Sequence, residues 1–114
     1  MFDEGICKIC QLENIAKKGD KPQYQLLEKS KHWYEMRIVG INRYYAALQA
    51  NNSIDYLIRI WQDQTITARD YCVLEDGKQY RITQVQHLLN DDGLKITDLS
   101  LERVDKLYDL ADAT

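Results

Sequence analysis

The sequence holds few of the residues from which enzymatic and metal sites are usually built. Its 114 residues include five glycines, two histidines, one proline and one phenylalanine. The glycines are scattered and build no phosphate cradle, and no G-x-S-x-G, H-E-x-x-H, Walker-type or G-x-G-x-x-G pattern occurs. His32, at the start of a strand, and His87, after one, read as surface residues rather than general bases. Three cysteines are an odd count, which argues against a secreted disulfide framework. No apolar run is long enough to span a bilayer, and the N-terminus lacks a basic region leading into an apolar one. These absences give the expectation of a cytosolic protein without membrane contact, catalytic residues, metal or cofactor.

What is present suits one soluble domain with a real core. The hydrophobic fraction is 45% and the charged fraction 29%, and a chain of this size needs neither disulfide nor metal to fold. Eight Tyr and two Trp stand against the single Phe, and rings with a polar edge suit half-buried strand faces and interfaces. The net charge of −3 argues against retention on nucleic acid by the overall field. The charge is uneven: residues 17–31 carry five Lys against Asp20 and Glu28, and residues 98–114 carry five acids against Arg103 and Lys106. Both stretches read as solvated surface.

Cys7 and Cys10 form a C-x-x-C within "GICKICQL". Structural zinc needs four ligands, and Cys72, His32 and His87 supply no second close pair. A redox pair wants its first thiol at a helix N-terminus, and no helix signal follows. In a strand, residues three apart face opposite sides. Cys7 then shares a face with Ile9, and Cys10 shares one with Ile6 and Leu12, so the pair neither chelates nor bridges.

Most of the remaining chain alternates as strands do. Residues 32–40 place Tyr34, Met36 and Ile38 on one face and Glu35 and Arg37 on the other. Residues 53–61 place Ile54, Tyr56, Ile58 and Ile60 opposite Asp55, Leu57, Arg59 and Trp61. Strands over 66–74 and 78–86 flank Glu75-Asp76-Gly77, a hairpin signal because both Asp and Gly tolerate positive φ. Residues 90–93 are a turn, which explains the carboxylate pair Asp91-Asp92. The strand over 94–104 shifts its apolar phase between Ile96 and Leu99, which predicts a bulge near Asp98. Residues 41–51 predict one short helix with Asn42 as N-cap. Residues 14–22 form a polar loop, and 104–113 a terminal helix or tail. Arg59, Arg69 and Arg81 alternate with Tyr56, Trp61, Tyr71 and Tyr80. This pattern fits a single-stranded nucleic-acid platform, although outward strand residues suit an acidic chain better. The expected fold is mainly β: a small antiparallel barrel or sandwich with one short helix and a long loop after the first strand. Residues 1–104 are expected to form the domain and 105–114 a C-terminal tail or short helix.

The order of segments over 34–104 resembles the phage head–tail joining family, the head-closure or stopper proteins. The resemblance rests on a strand, a small helix with "RYYAA", an "IRI" strand, the hairpin "EDGKQYRI" and a last strand "LKITDLSLE". It implies a non-enzymatic virion component, or a prophage copy of one, assembled in the host cytoplasm. Such a protein forms a ring, dodecameric in the complete connector, below portal and adaptor. It closes the channel through which double-stranded DNA passes without specific recognition, and it offers a surface to tail proteins. Asp76, Gly77, Tyr80 and Ile82 match the hairpin motif in a structural role. Tyr44, Tyr45 and Trp61 are candidates for self-association, and the loop at 14–22 corresponds to the family's long loop reaching the channel. The alternatives are a tail terminator or tail-completion protein, and an oligonucleotide-binding β-barrel module.

Overall fold

The computed structural model describes residues 4–37, 54–104 and 107–111. The strands are β1 (Gly5–Asn14), β2 (Tyr24–Arg37), β3 (Tyr56–Trp61), β4 (Tyr71–Val73), β5 (Gln79–Leu89), β6 (Lys95–Arg103) and β7 (Asp109–Ala111). Among the described residues there is no helix. The helix expected over 41–51 lies outside them, as do Tyr44 and Tyr45.

Strands β1 to β6 pair antiparallel in the order β1–β4–β5–β6–β3–β2, and β2 also pairs with β1, so the pairings return to their start. β7 adds in parallel at Gln25–Leu27 of β2. Where a terminal helix or a tail was expected, these three residues, Asp109–Ala111, form a strand. The fixing element is Gln79, which reaches the backbone of Tyr108 just before it.

Strand alternation decides what faces inward. Tyr34, Ile58, Ile60, Leu99, Leu101, Tyr80, Ile82, Cys7, Ile9 and Cys72 form one buried cluster. Each aliphatic side chain fully buried there contributes about 1.5–3 kcal/mol relative to exposure. Cys10, Leu26 and Val73, with Leu12, Tyr71 and Tyr108, form a second cluster. The two cysteines of the C-x-x-C thus belong to different clusters on opposite faces of β1, as strand geometry requires; Ile6, expected beside Cys10, is 36% exposed.

Two register shifts rephase the sheet. Ile9 pairs with Ser30 but Cys10 with Glu28, leaving Lys29 as the extra residue of β2. Ile82 pairs with Leu101 but Gln84 with Ser100, leaving Thr83 as the extra residue of β5. The second bulge lets both Ile82 and Val85 pack on the main core. It lies across the sheet from the bulge expected at Asp98. β6 itself keeps its ladder without a break and is buried from Ile96 to Leu101. Asp98 tolerates that burial because Arg59 Nε and Nη2 donate to Oδ1 and Oδ2 at 2.8 and 3.1 Å.

The strand expected over 66–74 contracts to β4. The Asp70 N–H donates to the Thr67 carbonyl while the Thr67 N–H donates to Asp70 Oδ2, a turn that stops the ladder before Tyr71. The resulting loop 62–70 inserts Ile66, 3% exposed, into the main core. β2 starts at Tyr24, before the segment expected to begin it.

Candidate functional site

The hairpin motif lies at the turn between β4 and β5. The Leu74 N–H donates to the Lys78 carbonyl and the Gly77 N–H to the Leu74 carbonyl. The loop therefore has three residues, Glu75, Asp76 and Gly77, and demands the left-handed region at Gly77, φ +80°. These are the three residues expected between the two strands, and a turn ending in a left-handed glycine satisfies their sequence. Asp76 Oδ1 accepts from the Lys78 N–H at 2.9 Å. Tyr80 and Ile82 are buried at 1% and 0%. Burial, then the nearby Asp76 and Tyr56, pushes the Tyr80 phenol up to about 12, so it packs as a neutral ring, edge-on to Tyr56. Asp76, Gly77, Tyr80 and Ile82 thus shape the core and its turn.

Cys10 and Cys72 are poor ligands and poor nucleophiles. Cys7, Cys10 and Cys72 are free and buried. Burial, then Glu28, pushes Cys10 up to about 11. Cys72 is raised by its hydrogen bond with Cys7 and by burial. A thiol held protonated does not attack or bind metal. No group of three metal-ligating side chains occurs among the described residues.

Sequence reasoning missed the polar network beneath loop 62–70. His32 is half-buried, not a surface residue. Its Nε2 lies 2.9 Å from Asp63 Oδ2 and 3.0 Å from Ser30 Oγ. Burial alone would raise the Asp63 carboxyl, but hydrogen bonds from Thr65 and His32 outweigh it and hold the group below its ordinary value. Lys29, the bulge residue, donates to Asp70 Oδ2 at 2.8 Å and to the Thr65 carbonyl at 3.0 Å. Ser30, His32 and Asp63 do not form a nucleophile relay: serine and aspartate meet the same ring nitrogen, whereas activation needs them on opposite ones. The network fastens the loop to β2. It joins β2 to a loop 31 to 41 residues further along the chain, so no local pattern in the sequence reveals it.

Two of the three arginines in the arginine–aromatic pattern have carboxylate partners, and the third, Arg69, is exposed on loop 62–70. Arg59 is held by Asp98 and Arg81 by Glu102, Nη2 to Oε1 at 3.2 Å. Trp61 is 43% exposed at the end of β3, beside Ile96 in the next strand.

Because the paired strands alternate in direction, the connections 15–23, 62–70 and 90–94 all emerge at one end of the sheet. The tip 15–23 is tied at its base by Asn14, whose Oδ1 accepts from the N–H groups of Ala16 and Gln23 at 3.0 and 3.1 Å. The tip 90–94 is tied in the same way by Asn90, whose Oδ1 accepts from Asp92 and Leu94 at 3.0 and 2.9 Å. The loop expected to reach a channel is thus a built hairpin tip with exposed side chains from Lys17 to Gln23.

No model of a known protein family matches the chain, and no curated protein matches it.

Proposed function

We propose that the chain is a structural subunit of a phage or prophage head–tail connector. In this reading it closes the DNA channel below portal and adaptor and presents a surface to the tail. The strand circuit is then a small closed barrel, and the hairpin tips are its contact surfaces. The observation that carries the reading is the hairpin itself. Asp76 and Gly77 make the turn, and Tyr80 and Ile82 point into the core, which supports the structural role that the resemblance implies for them. The net charge of −3 suits a channel component, since dense phosphate contacts would retard DNA passing through. Ring subunits also need two different surfaces, and the two hairpin tips differ in charge and shape.

The test is binding to filled, tailless capsids carrying portal and adaptor. Cosedimentation with these capsids, together with retention of their DNA, is the expected result. Binding to tail tubes but not to capsids would replace this reading with that of a tail terminator. Retention on single-stranded DNA at moderate salt, with no binding to either particle, would replace it with the oligonucleotide-binding module.

A further inference from the structure

The two hairpin tips at one end of the sheet form an unlike pair. Tip 15–23 carries Lys17, Lys18 and Lys21 against Asp20, a net +2 from three positive and one negative side chain. Its stem exposes two large apolar side chains, Ile15 at 50% and Tyr24 at 45%. Tip 90–94 carries Asp91 and Asp92 and no cation, a net −2, with Lys95 following it. It too exposes two large apolar side chains, Leu89 at 61% and Leu94 at 43%. Exposed aliphatic pairs beside charge of one sign match the composition of an interface core with a charged rim.

Topology fixes where the tips stand. In the circuit β1–β4–β5–β6–β3–β2, the β1–β2 pair and the β5–β6 pair are separated by β4 on one side and by β3 on the other. The tips therefore occupy opposite sides of the same end. Copies set side by side in one orientation bring the basic tip of one level with the acidic tip of the next. A contact between two different patches is heterologous and continues from copy to copy. Both tips are held in shape by the Asn14 and Asn90 carboxamides, which lowers the ordering cost of docking.

We propose that the protein associates with further copies of itself head to tail. The Ile15/Tyr24 tip with its lysines docks on the Leu89/Leu94 tip with Asp91 and Asp92. The proposal deepens the connector reading by naming the surface between neighbouring subunits, and it rests on that reading for the need of a neighbour. It gives the loop 15–23 to a subunit contact rather than to the channel.

The test uses full-length protein, half of it isotopically heavy, treated with a carbodiimide that joins lysines to carboxylates in contact. The expected products are heavy–light cross-links from Lys17, Lys18 or Lys21 to Asp91 or Asp92. Their yield should fall about tenfold as ionic strength rises from about 0.01 to about 1 M and the Debye length shrinks from about 30 to about 3 Å. Two charge-reversed variants, one with Lys17→Glu, Lys18→Glu and Lys21→Glu, the other with Asp91→Lys and Asp92→Lys, should each lose the cross-links alone. Mixed, they should regain them, because each then supplies the charge the other lacks. All substitutions are at exposed tips, and near-UV circular dichroism checks that both variants fold. Absence of heavy–light links between the tips would overturn the proposal, as would a yield indifferent to charge reversal or a mixture that does not recover. Capsid binding is read separately. Cross-links without it remove the connector role and leave the contact; capsid binding without cross-links does the opposite.

Discussion

Gln79 and Tyr108 exchange two hydrogen bonds: the Gln79 Nε2 donates to the Tyr108 carbonyl at 2.8 Å, and its Oε1 accepts from the Tyr108 N–H at 2.9 Å. A side-chain carboxamide here takes the place of a neighbouring strand's peptide group and positions the chain to enter β7. Gln79→Leu should expose or strand both backbone groups at a cost of about 1–3 kcal/mol. Amide exchange at 109–111 should quicken while that of β5 and β6 stays slow. Unchanged exchange at Leu110 would show that β7 holds without the clamp.

Arg59 and Asp98 are a buried bidentate pair, with side chains 16% and 8% exposed. Removing one partner leaves a charge without compensation. Asp98→Ala should therefore cost about 3 kcal/mol in urea unfolding. Replacing both, with Arg59→Met and Asp98→Leu, should recover most of the loss. A double variant no better than the single one would mean that the pair contributes through shape rather than charge.

Burial, then Glu28, raises Cys10 to about 11, and the other two thiols are fully buried. At pH 8 the folded protein should resist iodoacetamide, and all three thiols should react once urea unfolds it. Purified protein should carry no stoichiometric zinc. Rapid alkylation of the native state, or unfolding by a chelator, would restore the ligand or redox reading of Cys7 and Cys10.

Gly77 has φ +80° and open space where a Cβ would sit, so a substitution there meets backbone strain alone. Gly77→Val should destabilise by about 1 kcal/mol or more, and Gly77→Asn by clearly less, because Asn tolerates the left-handed region. Equal losses from the two, by thermal unfolding, would argue against strain as the cause.

Asp63 has its folded pKa depressed below the ordinary value by bonds from Thr65 and His32 that outweigh burial. A depressed carboxyl adds stability that is complete above its unfolded pKa and is lost as pH falls through the folded one. Asp63→Asn should therefore cost stability at pH 7 and flatten the acid limb below about pH 4. A variant with the same acid limb as the parent would assign that limb to other carboxylates.

The strand map was legible where one face alternates cleanly. Ile58 and Ile60 against Arg59 and Trp61, and Tyr34 against Glu35, face as their spacing dictates. It failed where a side chain, not a pattern, ends an element. Asp70 stops β4 by bonding Thr67, and Gln79 makes strand neighbours of residues whose spacing looked helical. The bulge was misplaced because Asp98 looked like an interruption of an apolar phase. Its partner Arg59, 39 positions away, makes it an interior residue. The His32–Asp63 network was invisible for the same reason: it joins strand and loop 31 residues apart. The charged tips were half legible. The lysine-rich stretch and the Asp pair are plain in the sequence, but only the strand order puts them on opposite sides of one end.

The three-residue β4 carries a consequence for how the chain reaches its native state. β5 joins β6 across one short turn, and β1 joins β2 across one loop, so both can zip from their tips. Lys8–Cys10 of β1, by contrast, meets Tyr71–Val73 only after more than half the chain has been gathered between them. Drawing those ends together costs loop entropy before three rungs of ladder return anything. The two hairpins are then expected to form early in folding, and the β1–β4 ladder to close late. Until it forms, the apolar faces of both hairpins stay open to other chains.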